Sequence, residues 1–274
     1  MFDSSGKPLI MGILNVTPDS FSDGGHFNNI TSALMQAEKM LNDGVDIIDI
    51  GGESTRPYSI SVSSGEQVQR VIPIIKAIRT QLSSTVQISI DTQLSTVAKL
   101  ALAEGANIIN DISAGHNDPN ILNVAVDFDC PIILMHIKGT PQTMQDNPSY
   151  DNVVSDVLTS LYISAERAKQ AGIKQDKIIL DPGIGFGKTI EHNLKLLGHL
   201  KQFVETGYPI LLGTSRKKFL NTITATKKPE DLALATSITT ALAVMAGVKV
   251  LRVHDVKENR QALDVAWAIK QSSY

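Results

Sequence analysis

LIMGILNVTPDSFSDGG, residues 9 to 25, opens with an apolar run and closes in a turn-rich loop. The run Leu9-Ile10-Met11-Gly12-Ile13-Leu14 reads as a strand. It is apolar on both faces rather than alternately, as in a parallel strand covered on both sides. Asn15 ends it. The loop after it holds Pro18, Asp19, Asp23 and the pair Gly24-Gly25, so no helical pattern resumes before Ile30.

The same unit recurs along the chain. Runs rich in Ile, Leu and Val occupy 46–50, 86–90, 107–109, 131–135, 177–180, 209–212 and 249–253. Most lead into amphipathic stretches long enough for a crossover helix, such as 30–42 and 65–81. Eight strand–helix units predict an α/β fold, a single (β/α)8 TIM barrel over residues 1–274. A doubly wound open sheet is the alternative. No linker-like or repeated segment marks a domain boundary.

Polar residues close nearly every run. Asn15 ends the first. Asp49 lies in the second, before GGESTRP. Asp91 ends the third, Asn110-Asp111 the fourth, His136 the fifth and Asp181 the sixth. Ser215-Arg216-Lys217 follow the seventh, and Arg252 and His254 close the eighth. Any one such Asp, Asp91 or Asp111 included, could equally be a helix N-cap. So many polar ends together point to one rim of a closed barrel, where barrel active sites are built.

Composition narrows the class. Of 274 residues, 42% are hydrophobic and 19% charged, and the net charge is -3. That is ordinary for a soluble globular enzyme and lacks the basic excess of a nucleic-acid surface. The lone cysteine, Cys130, excludes an intrachain disulfide and fits a reducing, cytoplasmic setting. The start, MFDSSGKPLIMG, lacks the charged and apolar regions of a secretion signal. No apolar run is long enough to predict a membrane span.

DPGIGFGKT, residues 181 to 189, imitates a phosphate loop, but Pro182 stands where that loop needs its first glycine. Proline has no N–H to offer a phosphate. The glycines are read instead as letting the loop pass close to a ligand. The six histidines show no paired metal spacing. A metal here would be a hard ion such as Mg²⁺ on oxygen donors, for which Asn15 and Asp19 are suitable. Ser215 lacks the setting of a nucleophile elbow.

GTSRKKF, residues 213 to 219, puts Ser215, Arg216 and Lys217 at a helix start, which attracts anions. Arg252 and His254, two apart on a strand, point the same way and suit a pyrophosphate. Opposed to this cationic side stand the acceptors Asp91, Asn110 and Asp181. They match the adjacent N–H groups of an aminopyrimidinone ring. Composition and spacing go no further.

Several stretches together resemble the dihydropteroate synthase family. They are GILNVTPDSFSDGG (12–25), GGESTRP (51–57), SIDT (89–92), NDIS (110–113), LMHIKGTPQTMQ (134–145), LDPGIGFGK (180–188), GTSRKKF (213–219) and RVHDV (252–256). The resemblance runs in order along essentially the whole chain. It implies a (β/α)8 barrel that joins 6-hydroxymethyl-7,8-dihydropterin pyrophosphate to p-aminobenzoate. Pyrophosphate would leave dissociatively with Mg²⁺ help, and the aniline nitrogen would attack a pterin-stabilised cation.

The resemblance also implies roles. Asp91, Asn110, Asp181 and Lys217 would hold the pterin. Asn15, Thr55, Arg56, Arg252 and His254 would hold the pyrophosphate, with Asn15 also a Mg²⁺ ligand. Phe21, Pro57, Phe186, Ser215 and Lys217 would border p-aminobenzoate. Lys217, Asp91, Asp181 and Asn15 would carry the chemistry. The first loop, with the loop after the second strand, would act as a lid against water. GGESTRP is the chromosomal-type second loop, so sulfonamide sensitivity is expected. The N-terminal hairpin of some relatives is expected to be short here.

DLALATSITTALAVMAG, residues 231 to 247, is apolar or small almost all round. An outer barrel helix should keep a charged face. This one predicts either a homodimer contact or an unusually deep helix. Two other functional readings are a pterin-binding methyltransferase barrel and a non-catalytic pterin-binding homologue. The first gives no reason for the TPDSFSDGG and ESTRP loops. The second should have lost pyrophosphate residues that this chain retains.

Overall fold

The computed structural model describes residues 6–17 and 25–272, without the side chains of 25–29. The eight expected strands are present. They are β1 (Leu9–Asn15), β2 (Ile47–Gly51), β3 (Gln87–Asp91), β4 (Ile108–Asp111), β5 (Ile132–Met135), β6 (Ile178–Asp181), β7 (Leu211–Leu212) and β8 (Val250–Val253). All pair in parallel, in the order β6-β5-β4-β3-β2-β1-β8-β7. The ring closes through one bridge, Leu180 to Ile210, with Leu180 N–H donating to Pro209 O at 2.9 Å. The open sheet is thereby excluded.

β7 is shorter than the 209–212 expected from its apolar run. Pro209 brings no N–H to the ladder, so only its carbonyl takes part in closure.

The helices follow as α1 (Gly25–Asn42), α2 (Ser64–Ala77), α3 (Ser95–Ala103), α4 (Asn120–Asp127), α5 (Val153–Gln170), α6 (Ile190–Gly198), α7 (Leu200–Val204), α8 (Lys218–Thr224), α9 (Ala233–Ala246) and α10 (Val256–Ser272). Two helices, not one, follow β6 and β7. Outward strand residues such as Ile48, Ile90, Leu134 and Leu251 join the helices in one apolar shell. Inward residues form a second cluster of Met11, Ile47, Ile108, Ile133, Ile179, Leu211 and Val250. This is why the runs are apolar on both faces.

Side chains two apart on a strand share a face. The inner face therefore changes character along the strands. Ile47 leads to Asp49, Ile108 to Asn110, Ile179 to Asp181 and Val250 to Arg252. An apolar floor gives way to a polar mouth at the carboxyl ends.

Among the described residues, no helix is long and apolar enough to cross a membrane. α9 begins two residues later than expected, after a 3-10 turn over Pro229–Leu232, and ends on Gly247 at φ 105°. It is not a deep helix. Thr236, Thr239, Thr240, Ala243 and Val244 are buried, while Leu234, Ile238, Leu242 and Met245 face outward.

Candidate active site at the barrel mouth

Three strand ends deliver carboxylates to the barrel interior. Asp49 is 0% exposed, and Asp91 and Asp181 are buried. Arg252, arriving from β8, donates from Nε to Asp49 Oδ2 at 2.7 Å and from Nη2 to Asp91 Oδ2 at 2.6 Å. Asn110 Nδ2 donates to Asp49 Oδ2 at 3.1 Å. Asp181 Oδ1 accepts the Gly183 N–H at 2.7 Å. The sequence reading set cations opposite acceptors. The structure corrects this: Arg252 lies among the acids, because β8 enters the ring beside β1, with only β1 and β2 between it and β3.

Burial pushes Asp91 up to about 7, with Arg252 opposing and Asp49 reinforcing the rise. Two carboxylates share one guanidinium there. Burial would lower Arg252, but Asp49 and Asp91 outweigh it and raise it. Burial raises Asp181 too, against the pull of Lys217. Burial lowers Lys217 to about 8, with Asp181 opposing. Asp91, Asp181 and Lys217 are thus all shifted toward neutrality, as groups at sites of chemistry are.

Lys217 precedes α8 and turns toward the segment after β6. Its Nζ donates to Ile184 O and lies 4.7 Å above the Phe186 ring, a cation–π contact. Gly183 and Gly187, at φ 66° and 65°, let that segment lie against the loop after β5. A Cβ at Gly183 would stand 1.9 Å from His136 O, and one at Gly187 2.5 Å from Lys138 O. No residue with a side chain fits either place.

At the rim, Ser215 Oγ accepts the His254 backbone N–H at 3.1 Å and lies 3.0 Å from His254 Nδ1. Burial lowers the His254 imidazole to about 3, and Arg216, Arg252, Arg56 and Lys217 lower it further. These cations therefore gather around one neutral ring. Arg216 is held by Asp255, Nη2 to Oδ1 at 2.6 Å and Nε to Oδ2 at 3.2 Å. α8 is only seven residues long. Asn15 ends β1, which lies between β8 and β2. Thr55, Arg56 and Pro57 lie in the loop after β2, Thr55 half-buried and the other two exposed. That loop leans onto the loop after β5, with Tyr58 N–H donating to Pro141 O at 2.9 Å.

The structure so brings together Asp91, Asn110, Asp181, Lys217, Phe186 and Arg252, and beside them Ser215, His254 and Arg56. Phe21, Asp19 and the lid over 18–24 lie outside the described residues. Two polar strand ends are structural. Asp111 accepts from Ser113 N and Oγ and from Gly115 N, shaping its own loop. His136 is buried against Lys188, with Nζ 3.0 Å from Nδ1. The sequence reading placed Asp49 among the polar rim ends without giving it a role, and it missed Lys188 as part of the site's framework. Asp49 had a signal, a charge inside the buried run IIDIG. Lys188 had none beyond the false phosphate loop. A cavity of about 570 Å³ between the loops after β2, β3, β4 and β5 has none of the expected site residues in its lining.

The sequence profile of the family described as pterin binding enzyme matches residues 11–254. A dihydropteroate synthase of Synechocystis sp. is 44% identical over 98% of this chain and 92% of its own length. The chain belongs to the dihydropteroate synthase family. It is accordingly an enzyme, a transferase of folate synthesis. The Yersinia pestis dihydropteroate synthase, solved as a sulfonamide drug complex, superposes with a TM-score of 0.91 at 40% identity, covering 98% of this chain and 96% of that one. The Xanthomonas albilineans dihydropteroate synthase in complex with 7,8-dihydropteroate gives 0.87 at 37% identity, with 96% and 94% covered. The family's barrel is the one described above.

Proposed function

We propose that the chain condenses 6-hydroxymethyl-7,8-dihydropterin pyrophosphate with p-aminobenzoate, giving 7,8-dihydropteroate and pyrophosphate. The supporting observation is the buried set Asp91, Asn110 and Asp181 sharing the barrel mouth with Lys217 and Arg252. The acids and the amide accept from the pterin ring's N–H edge. The same carboxylates face the positive charge that grows on the pterin as its C–O bond breaks. The bonding pair leaves on pyrophosphate. The aniline lone pair then forms the C–N bond, and the nitrogen sheds one proton.

Pyrophosphate would sit at the rim among Arg56, Arg252, His254, Thr55 and Asn15. Neutral His254 serves there as a hydrogen-bonding group, not a cation. p-Aminobenzoate would lie by Phe186, Pro57, Ser215 and Lys217. Lys217 thus faces both substrates, with Asp181 on one side and the Phe186 ring on the other.

Among the described residues, no group of three or more His, Cys, Asp or Glu could hold a metal. Asn15 brings a side-chain amide oxygen to the rim at the end of β1. That suits Mg²⁺, which takes few protein ligands when substrate phosphates supply the rest. Bound there, Mg²⁺ would neutralise charge on the departing pyrophosphate.

The outward face of α9 continues onto α10, where Val265 and Ile269 are also exposed. A surface of this kind fits a second copy of the chain. The lone cysteine, Cys130, is buried and free, which fits a cytoplasmic location.

The deciding experiment is pyrophosphate release from the pterin substrate with Mg²⁺, with and without p-aminobenzoate. Release coupled to dihydropteroate formation is expected. Pterin pyrophosphate that binds but never turns over would make the chain a non-catalytic homologue.

A further inference from the structure

The segment between Asp181 and Lys188 is neither helix nor strand, yet five successive carbonyls in it receive side-chain donors. Lys188 Nζ donates to Gly183 O at 2.8 Å and to Phe186 O at 2.9 Å. Lys217 Nζ donates to Ile184 O. Gln145 Nε2 reaches Gly185 O at 2.7 Å, and Tyr150 Oη reaches Gly187 O at 2.7 Å. The only backbone bond among these carbonyls, within the described residues, runs from Phe186 N to Gly183 O at 3.1 Å. Surface loops ordinarily leave such groups to water. Here three elements converge to hold one strap: the loop after β5, the strap's own last residue and the start of α8.

Lys188 is 3% exposed. A buried cation is costly unless its protons are used. Its Nζ lies within 3.0 Å of His136 Nδ1 and within 3.4 Å of His136 O, besides the two strap carbonyls. An ammonium has three protons and a neutral amine two, so this surplus of acceptors suits the ammonium. Burial lowers the amine well below its ordinary value, and Asp181 opposes that fall. None of these contacts faces substrate in the reaction as derived above. What the strap does present to the site is Ile184 O and the Phe186 ring, both on Lys217.

We propose that Lys188, Gln145 and Tyr150 are positioning residues: they clamp the strap so that Ile184 O and the Phe186 ring hold Lys217 beside Asp181. This rests on the pterin-transferase reading of the mouth. The loop after β5, remote from the chemistry in sequence, thereby tunes how the pterin is held.

The test uses the full chain with Lys188→Met, Tyr150→Phe and Gln145→Ala, the last two also combined. Gln145 and Tyr150 are only half-buried, so their double variant keeps the fold if Lys188→Met does not. Two quantities are read. The first is the KM for the pterin substrate against kcat. The second is the labelling rate of the Lys217 amine by an acylating reagent at fixed pH, followed by mass spectrometry. The double variant is expected to raise the pterin KM by about fivefold or more, the scale of lost hydrogen bonds. kcat should fall too, though less than for Lys217→Ala, because Lys217 is misplaced rather than lost; Lys217 should label faster, and the melting temperature should hold. Unchanged Lys217 labelling in the folded double variant overturns the clamp. So does a loss of activity that only follows a lowered melting temperature. If the wild type shows no turnover, the pterin-transferase reading fails, and the labelling still decides the clamp.

Discussion

Arg252 Nη2 lies 2.6 Å from Asp91 Oδ2, and its Nε lies 2.7 Å from Asp49 Oδ2. One guanidinium serves two buried carboxylates. Removing it as Arg252→Met strands both charges, and breaking such a pair typically costs about 3 kcal/mol. Urea denaturation should show that loss, together with weaker pterin binding. A variant as stable as the wild type would mean the two acids find another partner.

The pH dependence of kcat/KM should be bell-shaped and narrow. Asp91, raised to about 7, is protonated below that pH and loses its acceptor role. Lys217, lowered to about 8, loses its charge above that pH. The maximum therefore falls between them. Steady-state rates from pH 5.5 to 9.5, an interval of about two units either side, would place both limbs. An acid limb near the ordinary carboxylate value would remove Asp91 from the pterin contacts.

Two substitutions separate binding from turnover. Asp181→Asn turns one acceptor pair into a mixed donor and acceptor. It should weaken pterin binding by about tenfold or more, the scale of a hydrogen bond to a charged group. Calorimetry would read it, and unchanged affinity would place Asp181 outside the pocket. Lys217→Ala should lower kcat on the order of a hundredfold, the scale of one lost preorganised donor. Near-normal kcat would contradict its place between the two substrates.

Sulfonamides should inhibit the chain in competition with p-aminobenzoate. GGESTRP follows β2, and the similar Yersinia pestis enzyme was solved as a sulfonamide complex. Raising p-aminobenzoate should restore the rate. Inhibition that p-aminobenzoate does not relieve would point to a different binding place.

The outward face of α9 should be covered in solution. Leu234 is 74% and Leu242 63% exposed in one chain. Sedimentation at micromolar concentration should find a dimer, and Leu242→Glu should shift it toward monomer. A wild-type monomer under those conditions would leave the face without this partner.

Much of the barrel was legible because it is written locally. Each strand is a short apolar run, and each polar end sits in or just after it, so eight runs give eight strands with every boundary within a residue or two. The polar ends Asp91, Asn110 and Asp181 were legible for the same reason. An inward side chain on a closed barrel must keep company with the other seven strand ends, wherever they lie in sequence. Lys188 was not legible, since a lysine in a glycine-rich loop looks like a ligand group until its partners are known.

The strand count, the parallel order implied by crossovers and the rim on which the polar residues gather all follow from the order of residues along the chain. Which of those residues touch depends on the closed barrel. Arg252 meets Asp91 across 161 residues and Asp49 across 203. Ring closure through Leu180 and Ile210 makes those distant ends neighbours, and burial then turns their charges from surface groups into mutual partners. The exposed face of α9 was decided the same way, by which side the barrel covered. Local patterns record propensity and burial along the chain, whereas pairing of charges and faces depends on distances that exist only once the barrel has closed.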